Sequence, residues 1–184
     1  LSRYAGAQDV LRDPRTRWVH GDGRFFLRTQ SDTRWDIIEA DAMRPNSARA
    51  GVLYSQEYFT LAASRLKPGG YFVTWVPTER VAATLLKTFP HLTLFGGVIG
   101  IATHEPLELD AAAIQRRLTD PAVIRHFQRA GIHLESLLAP MLGRESSIHT
   151  FGPSFDRSLL PAVNTDRFPR DELELPALWG KLTH

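Results

Sequence analysis

Trp35-Asp-Ile-Ile-Glu-Ala-Asp41, followed by Leu66-Lys-Pro-Gly-Gly70 running into Tyr71-Phe-Val-Thr-Trp-Val-Pro77, decides the fold of this 184-residue chain. The first piece is a short apolar run that ends in a carboxylate, and the second is an apolar run launched from a Gly-rich turn. Upstream lies His20-Gly-Asp-Gly-Arg24, where another short apolar run, Thr16 to His20, closes on an acidic residue between two glycines. Between the two deciding pieces, Tyr58, Leu61, Ala62 and Leu66 recur at helical spacing, so Ser55 to Leu66 reads as an amphipathic helix. Short apolar strands alternating with helices, with carboxylates just past the strand ends, describe an open parallel sheet whose ligand crosses the carboxyl ends.

Working outward, Leu1 to Leu11 reads as a helix stopped by Asp13-Pro14, and Phe25, Phe26 and Leu27 sit early in a short helix. Trp35 to Ala40 is apolar enough to be expected buried on both faces. Pro68-Gly69-Gly70 is expected to turn tightly before the strand Tyr71 to Val76, because Gly tolerates a positive φ that other residues resist. Val81 to Thr88 follows as a helix closed by Pro90, and His91–Phe95 with Val98–Thr103 reads as an antiparallel pair joined at Gly96-Gly97. Beyond Glu108 the texture changes to three short helices, Leu109–Leu118, Pro121–Ala130 and Leu134–Leu142, and then a looser, Pro-rich tail. The expected division is a partial nucleotide-binding α/β domain over residues 1–108, with a helical extension and tail, 109–184, packed on it.

Composition narrows the function classes. A 43% apolar fraction is that of a globular protein rather than a disordered one. The net charge is only +2, and the arginines are dispersed from Arg3 to Arg170, so nucleic acid finds no continuous basic face. Without cysteine there is neither a disulfide framework nor a thiolate metal site, which fits a cytoplasmic protein. No apolar run approaches the roughly 18 residues that a membrane span requires. The seven histidines form no His-x-x-x-His pair or carboxylate cluster, so no metal is expected, and no Gly-x-Ser-x-Gly elbow supplies a serine nucleophile. The aromatics Trp18, Trp35, Tyr71, Phe72 and Trp75 are expected in the core rather than on a ligand platform.

Two carboxylates stand out on chemistry alone. Asp22, between two glycines after an apolar run, is suited to cap the next helix, and a carboxylate has acceptor positions left over for a ligand. Asp41, at the end of an apolar strand, stands at the edge of the ligand crevice, where a carboxylate can take a proton or hold a cation. Each has an ordinary structural role as well, the first in a turn and the second at a loop start.

The order and spacing of these pieces resemble the spermidine synthase (polyamine aminopropyltransferase) family, joined partway through its pattern. The resemblance implies an open Rossmann-like fold of the S-adenosylmethionine-dependent methyltransferase type, incomplete at the amino terminus. It implies a transferase that moves an aminopropyl group from decarboxylated S-adenosylmethionine to a small-molecule amine. By this resemblance Asp22 and Gly23 contact the nucleotide, Asp41 is the catalytic carboxylate, and Arg44 and Tyr54 face the substrate. The family's Gly-rich cofactor loop and ribose-binding acid have no counterpart in these residues, which reads as a fragment or a shortened gene. The isolated chain is therefore expected to be inactive and to bind nucleotide weakly.

The family's second acidic residue after the strand is replaced, since Asp41-Ala-Met-Arg44-Pro45 carries a cation where a di-cationic amine would dock. Arg44 repels such an amine; it either binds a carboxylate or phosphate or points to solvent. Near the end, Asn164-Thr-Asp166-Arg-Phe-Pro169 resembles the Asn-Thr-Asp-Asp-x-Pro tail of synthase-like proteins, with Arg167 in place of the second Asp. Chemistry alone reads that tail as a capped turn. Two alternatives stay open: a methyltransferase using S-adenosylmethionine, and a non-catalytic remnant lacking the cofactor loop. A homodimer is compatible with the sequence.

Overall fold

The computed structural model describes residues 12–41, 44, 47–129, 131–134, 136 and 148–173. The expected helix Leu1–Leu11 and most of Leu134–Leu142 lie outside the described residues. In chain order the elements are α1 (Gly23–Thr29), β1 (Trp35–Ala40), α2 (Gln56–Ser64), β2 (Leu66–Trp75), α3 (Glu79–Thr88), β3 (His91–Phe95), β4 (Ile99–Thr103), α4 (Ala111–Leu118), α5 (Pro121–Arg129), β5 (Ile148–Phe151) and α6 (Arg170–Leu173). The five strands form one sheet in the order β1-β2-β4-β3-β5. β1 and β2 are parallel, and every other pairing is antiparallel.

The helices start where the chain supplies a cap. Asp22, Ser55 and Thr78 each turn a side-chain oxygen onto a backbone N–H of the first turn, of Phe25, Tyr58 and Val81 respectively. Such a cap satisfies a donor that has no intrahelical acceptor. α2 and α3 then lay their apolar sides on one face of the sheet. Tyr58, Phe59, Ala62, Val81, Leu85, Leu86 and Phe89 meet Ile38, Phe72, Val76, Leu92, Leu94 and Ala102 in one buried cluster. Phe72 is at its centre, 5.3 Å from the Phe59 ring and 5.9 Å from a stacked Phe89. Gly100 lets β4 pack closely against Val76 and α3, because a Cβ there would stand 2.7 Å from Val76 Cγ2 and 3.4 Å from Leu85 Cδ1.

β2 begins earlier than its apolar pattern suggests. Trp35 pairs with Leu66 and Ile37 with Tyr71, so the four residues between them on β2 bulge out of the ladder. The Pro-Gly-Gly turn is this bulge. Gly69 adopts φ +71°, and a Cβ on Gly70 would lie 3.0 Å from the carbonyl oxygens of Trp35 and Asp36. Lys67, on the same bulge, pairs with Asp36 at 2.8 Å.

Three expectations are corrected. Thr16–His20 forms no strand; it lies apart from the sheet, with Trp18 55% and Val19 49% exposed. An extended segment stays in a sheet only if a neighbour takes up its backbone groups, and none of the described strands flanks it. β1 is buried on one face only. Ile38 is buried while Ile37 is 58% exposed, because α2 and α3 cover a single side of the sheet. Trp18 and Tyr71 accordingly stand outside the core, whereas Phe72 is inside it. β5 was not anticipated. Four residues pair with β3 from Leu92↔Phe151 to Phe95↔Ile148, a segment too short to show a period.

The tail after β5 folds back over the molecule. Arg157 reaches the carbonyls of Leu86 and Pro90, at 2.9 and 2.8 Å, and so satisfies the end of α3. Asn164 to Leu173 then crosses to the carboxyl ends of β1 and β2.

Candidate active site

The carboxyl ends of the parallel pair β1–β2 gather most of the residues singled out from sequence. Asp41 follows β1 directly and is exposed. Arg44 is also exposed, and its carbonyl accepts the N–H of Ser47 at 2.9 Å in a turn that leads to the 3-10 segment Ala50–Leu53. Tyr54, which follows that segment, has no exposed surface and is part of the core. Burial pushes its phenol well above the ordinary value of 10, and the charges of Asp41 and then Asp171 add to the rise. Tyr54 is therefore a neutral hydroxyl close enough to Asp41 to feel its charge.

Asp22 caps α1 through its Oδ1, which accepts from Phe25 N at 2.6 Å. Among the described residues no donor is seen on the second carboxylate oxygen, and the position is exposed. Gly21 and Gly23 have no described heavy atom within 4 Å of where a Cβ would stand. Neither glycine is required by packing among the described residues, so both leave open space beside Asp22.

Arg24, two residues further on, joins this helix to the tail. Its guanidinium forks onto Asp166, Nη1 to Oδ1 at 2.7 Å and Nη2 to Oδ2 at 2.5 Å, and Nη1 also donates to the carbonyl of Val52. The Asp166 carboxylate is held below its ordinary range by that hydrogen bond from Arg24, with a smaller contribution from Ser55. Tyr58 lies under the same group, with the Arg24 guanidinium 6.0 Å from its ring centre. Burial raises its phenol, while the positive charge of Arg24 opposes the rise.

Asp171 anchors the tail from within. It is 2% exposed and accepts from Thr78 Oγ1 at 2.7 Å, Asn164 Nδ2 at 2.9 Å and Arg80 Nε at 3.0 Å. Its neighbour Glu172 accepts the N–H groups of Arg49 and Gly51 at 2.8 and 3.2 Å. Thr165 closes the capped turn expected here, its Oγ1 accepting from Phe168 N at 3.0 Å. Arg24, Asp166, Asp171 and Glu172 were missed as site-forming residues. Arg24 and Asp166 lie in two motifs quoted above, but spacing cannot link pieces more than a hundred residues apart, and Asp171 and Glu172 lie outside both.

Two concavities lie away from these residues. One of 390 Å³ is lined by Tyr71, Thr103, Glu105 and Glu108, and one of 420 Å³ by Ile37, Tyr71, Val73, Ile101 and Ile114. Neither touches Asp22, Asp41 or Tyr54, because they sit at the amino-terminal end of β2 and on the open face of the sheet. Among the described residues no group of His, Asp or Glu is arranged to hold a metal ion, and no helix is long and apolar enough to cross a membrane.

Comparison with known proteins agrees with this geometry. Residues 2–85 match the family model of the spermine/spermidine synthase domain. The chain is 40% identical over 66 residues to a polyamine aminopropyltransferase of Corynebacterium efficiens, covering 35% of this chain and 13% of that protein. It is 31% identical over 102 residues to a polyamine aminopropyltransferase of Aeropyrum pernix, covering 50% of this chain and 32% of that protein. The chain thus spans about a third or less of these curated relatives. Among solved structures, a spermidine synthase in complex with the transition-state analogue AdoDATO superposes with a TM-score of 0.50 at 19% identity, over 77% of this chain and 56% of that one. The likeness shows the fold: an open Rossmann-like sheet of the S-adenosylmethionine-dependent methyltransferase type. The matched residues 2–85, which hold Asp22, Asp41 and the whole β1–β2 pair, are thus similar to the spermine/spermidine synthase domain.

Proposed function

We propose that this chain is the carboxylate-bearing part of an aminopropyl transferase, which moves the aminopropyl group of decarboxylated S-adenosylmethionine onto an amine. The observation that carries the reading is Asp41, an exposed carboxylate directly past the carboxyl end of β1. Both relatives described above are polyamine aminopropyltransferases, and the match to the one from Aeropyrum pernix covers half of this chain.

In the reaction the amine nitrogen attacks the aminopropyl carbon bonded to the sulfonium. A C–N bond forms, the C–S bond breaks with its electrons going to sulfur, and methylthioadenosine leaves. The attacking amine must lose one proton, and Asp41 accepts it. Before that step the same carboxylate attracts the acceptor in its ammonium form. Asp22 and Gly23 serve the donor: the second oxygen of Asp22 accepts from the adenine amino group, and the open space at Gly23 admits the ring. Tyr54, buried after the loop carrying Asp41 and Arg44, anchors it to the core. Arg44 selects the acceptor. A second cation on the substrate is repelled there, so a monoamine, or an amine that carries an acidic group, suits the site better than a diamine.

Calorimetry and turnover, measured on the complete transferase domain of which this chain is proposed to be part, test the assignment together. Asp22→Ala is expected to weaken methylthioadenosine binding, because it loses a contact made in ground and transition states alike. Asp41→Ala is expected to keep nucleotide binding and lose turnover, because it lacks the group needed as the amine gives up its proton. Turnover left intact in Asp41→Ala with every amine tested would remove the proposed role. In an amine panel, Arg44→Asp should shift preference toward diamines.

A further inference from the structure

We propose that Asn164–Glu172 is a positioning strap for the two sides of the site. Asp166 is the positioning residue for the helix that begins at Asp22, and Glu172 that for the turn that follows Asp41 and Arg44. The proposal rests on reading the carboxyl end of β1 as the transferase site, and it goes further by giving the distant tail a part in it.

The two tethers are separate. On the donor side, the fork from Arg24 to Asp166 ties the first turn of α1 to the strap, and Asp166 N donates to Glu57 Oε2 at 3.0 Å, which ties the strap to α2. The Arg24 side chain is only 15% exposed, so this ion pair is partly withdrawn from solvent on the arginine side. A two-point Arg–carboxylate contact fixes orientation as well as distance. On the acceptor side, the Glu172 carboxylate spans two backbone donors with its two oxygens, Arg49 N and Gly51 N. Arg49 is the one described non-glycine residue with a positive φ, at +67°. Such a turn needs outside support to persist, and Glu172 gives it at the strained residue itself.

Packing leaves no slack between strap and turn. A Cβ on Gly51 would stand 2.2 Å from Pro169 Cβ. Behind both tethers, Asp171 and Asn164 bind the strap to α3, at its cap Thr78 and at Thr84 in mid-helix. The buried pair therefore sets where the strap lies, and the two flanking carboxylates transmit that position to the ligand-bearing segments.

The test pairs hydrogen exchange with kinetics. In Glu172→Ala, amide exchange across residues 47–53 is expected to accelerate at least tenfold, with β3 and β4 unchanged. Glu172→Gln should give a smaller acceleration, since one amide oxygen still accepts. Asp166→Asn should accelerate exchange in α1 instead. In kinetics, Glu172→Ala should raise KM for the amine and lower kcat with KM for the nucleotide unchanged. Asp166→Asn should instead raise KM for the nucleotide, a split that a general loss of stability does not produce. Unchanged exchange at 47–53, or an equal rise in β3 and β4, overturns the strap. The kinetics use the complete transferase domain of which this chain is proposed to be part; if that domain turns over no amine, the transferase reading falls while the exchange experiment on this chain still decides the strap.

Discussion

A carboxylate that is 2% exposed and faces three side-chain donors is a position where one atom change propagates, and Asp171 is that position here. Removing one partner of a buried, hydrogen-bonded ion pair leaves the others desolvated and unmatched, at a cost of about 3–5 kcal/mol. Asp171→Ala should lower unfolding stability by about that amount in urea titrations, and Asp171→Asn by less, because an amide oxygen still accepts from Thr78 or Arg80. Tyr54 makes a second residue-scale prediction. Its phenol is raised by burial, then by the charges of Asp41 and Asp171, so the native protein should show a tyrosine that stays neutral above the ordinary range. Ultraviolet titration should detect this late-ionising phenol in wild type and find its amplitude reduced in Tyr54→Phe. Asp22 and Asp41 were legible because short-range chemistry marks them, the one by two flanking glycines and the other by the end of an apolar strand. Asp171 and Glu172 were not, because their partners Thr78 and Gly51 are remote in sequence and nothing in a Leu-Pro-Asp-Glu-rich tail names them.

At the scale of elements, β1 is the exposed consequence of a sheet covered on one side. Ile37 is 58% exposed on a strand that has only β2 beside it among the described strands. An apolar side chain on an edge strand invites pairing with another chain, and charge on such an edge discourages it. Ile37→Lys should therefore raise the concentration at which the protein stays monodisperse in light scattering, with the unfolding midpoint nearly unchanged. The opposite behaviour is expected at Gly100, where an added methyl would sit 2.7 Å from Val76 Cγ2 and 3.4 Å from Leu85 Cδ1. Gly100→Ala should destabilise by about 1–3 kcal/mol, the usual cost of overpacking a filled core. The β2–α3–β3–β4 block was legible in advance because its pieces carry their own signals: the Gly-rich turn before Tyr71, Pro90 just past the end of α3, and Gly96-Gly97, which adopt φ +58° and +72° in the hairpin turn. Thr16–His20 misled because strand-like composition does not supply a neighbour, and a strand is a property of a pair.

At the scale of the whole molecule, acids that sit below their ordinary pKa set the response to pH. Asp166 is lowered by the hydrogen bond from Arg24, Asp36 by Lys67 and Asp156 by Ser158, while Asp13 is lowered to about 2 by Arg15. In each case the unfolded chain holds a proton more tightly than the folded one. Stability is then present above the unfolded value of 3.8 and is lost as pH falls through the folded values. Asp13, Asp36 and Asp156 act at the surface, where screening by salt and water leaves little of such an interaction. Asp166 differs because Arg24 is largely withdrawn from solvent and because the pair joins segments 142 residues apart. The melting temperature should hold steady near neutral pH and fall as pH drops from about 4 toward 2. Asp166→Asn should melt below wild type at about pH 7, and the gap should close as the acid limit is approached, since both proteins then carry an uncharged group at that position. Calorimetric scans of the two proteins across that range, repeated in high salt, decide the matter. A gap that stays constant down to about pH 2 would assign the contribution of Asp166 to shape and hydrogen bonding rather than to its charge.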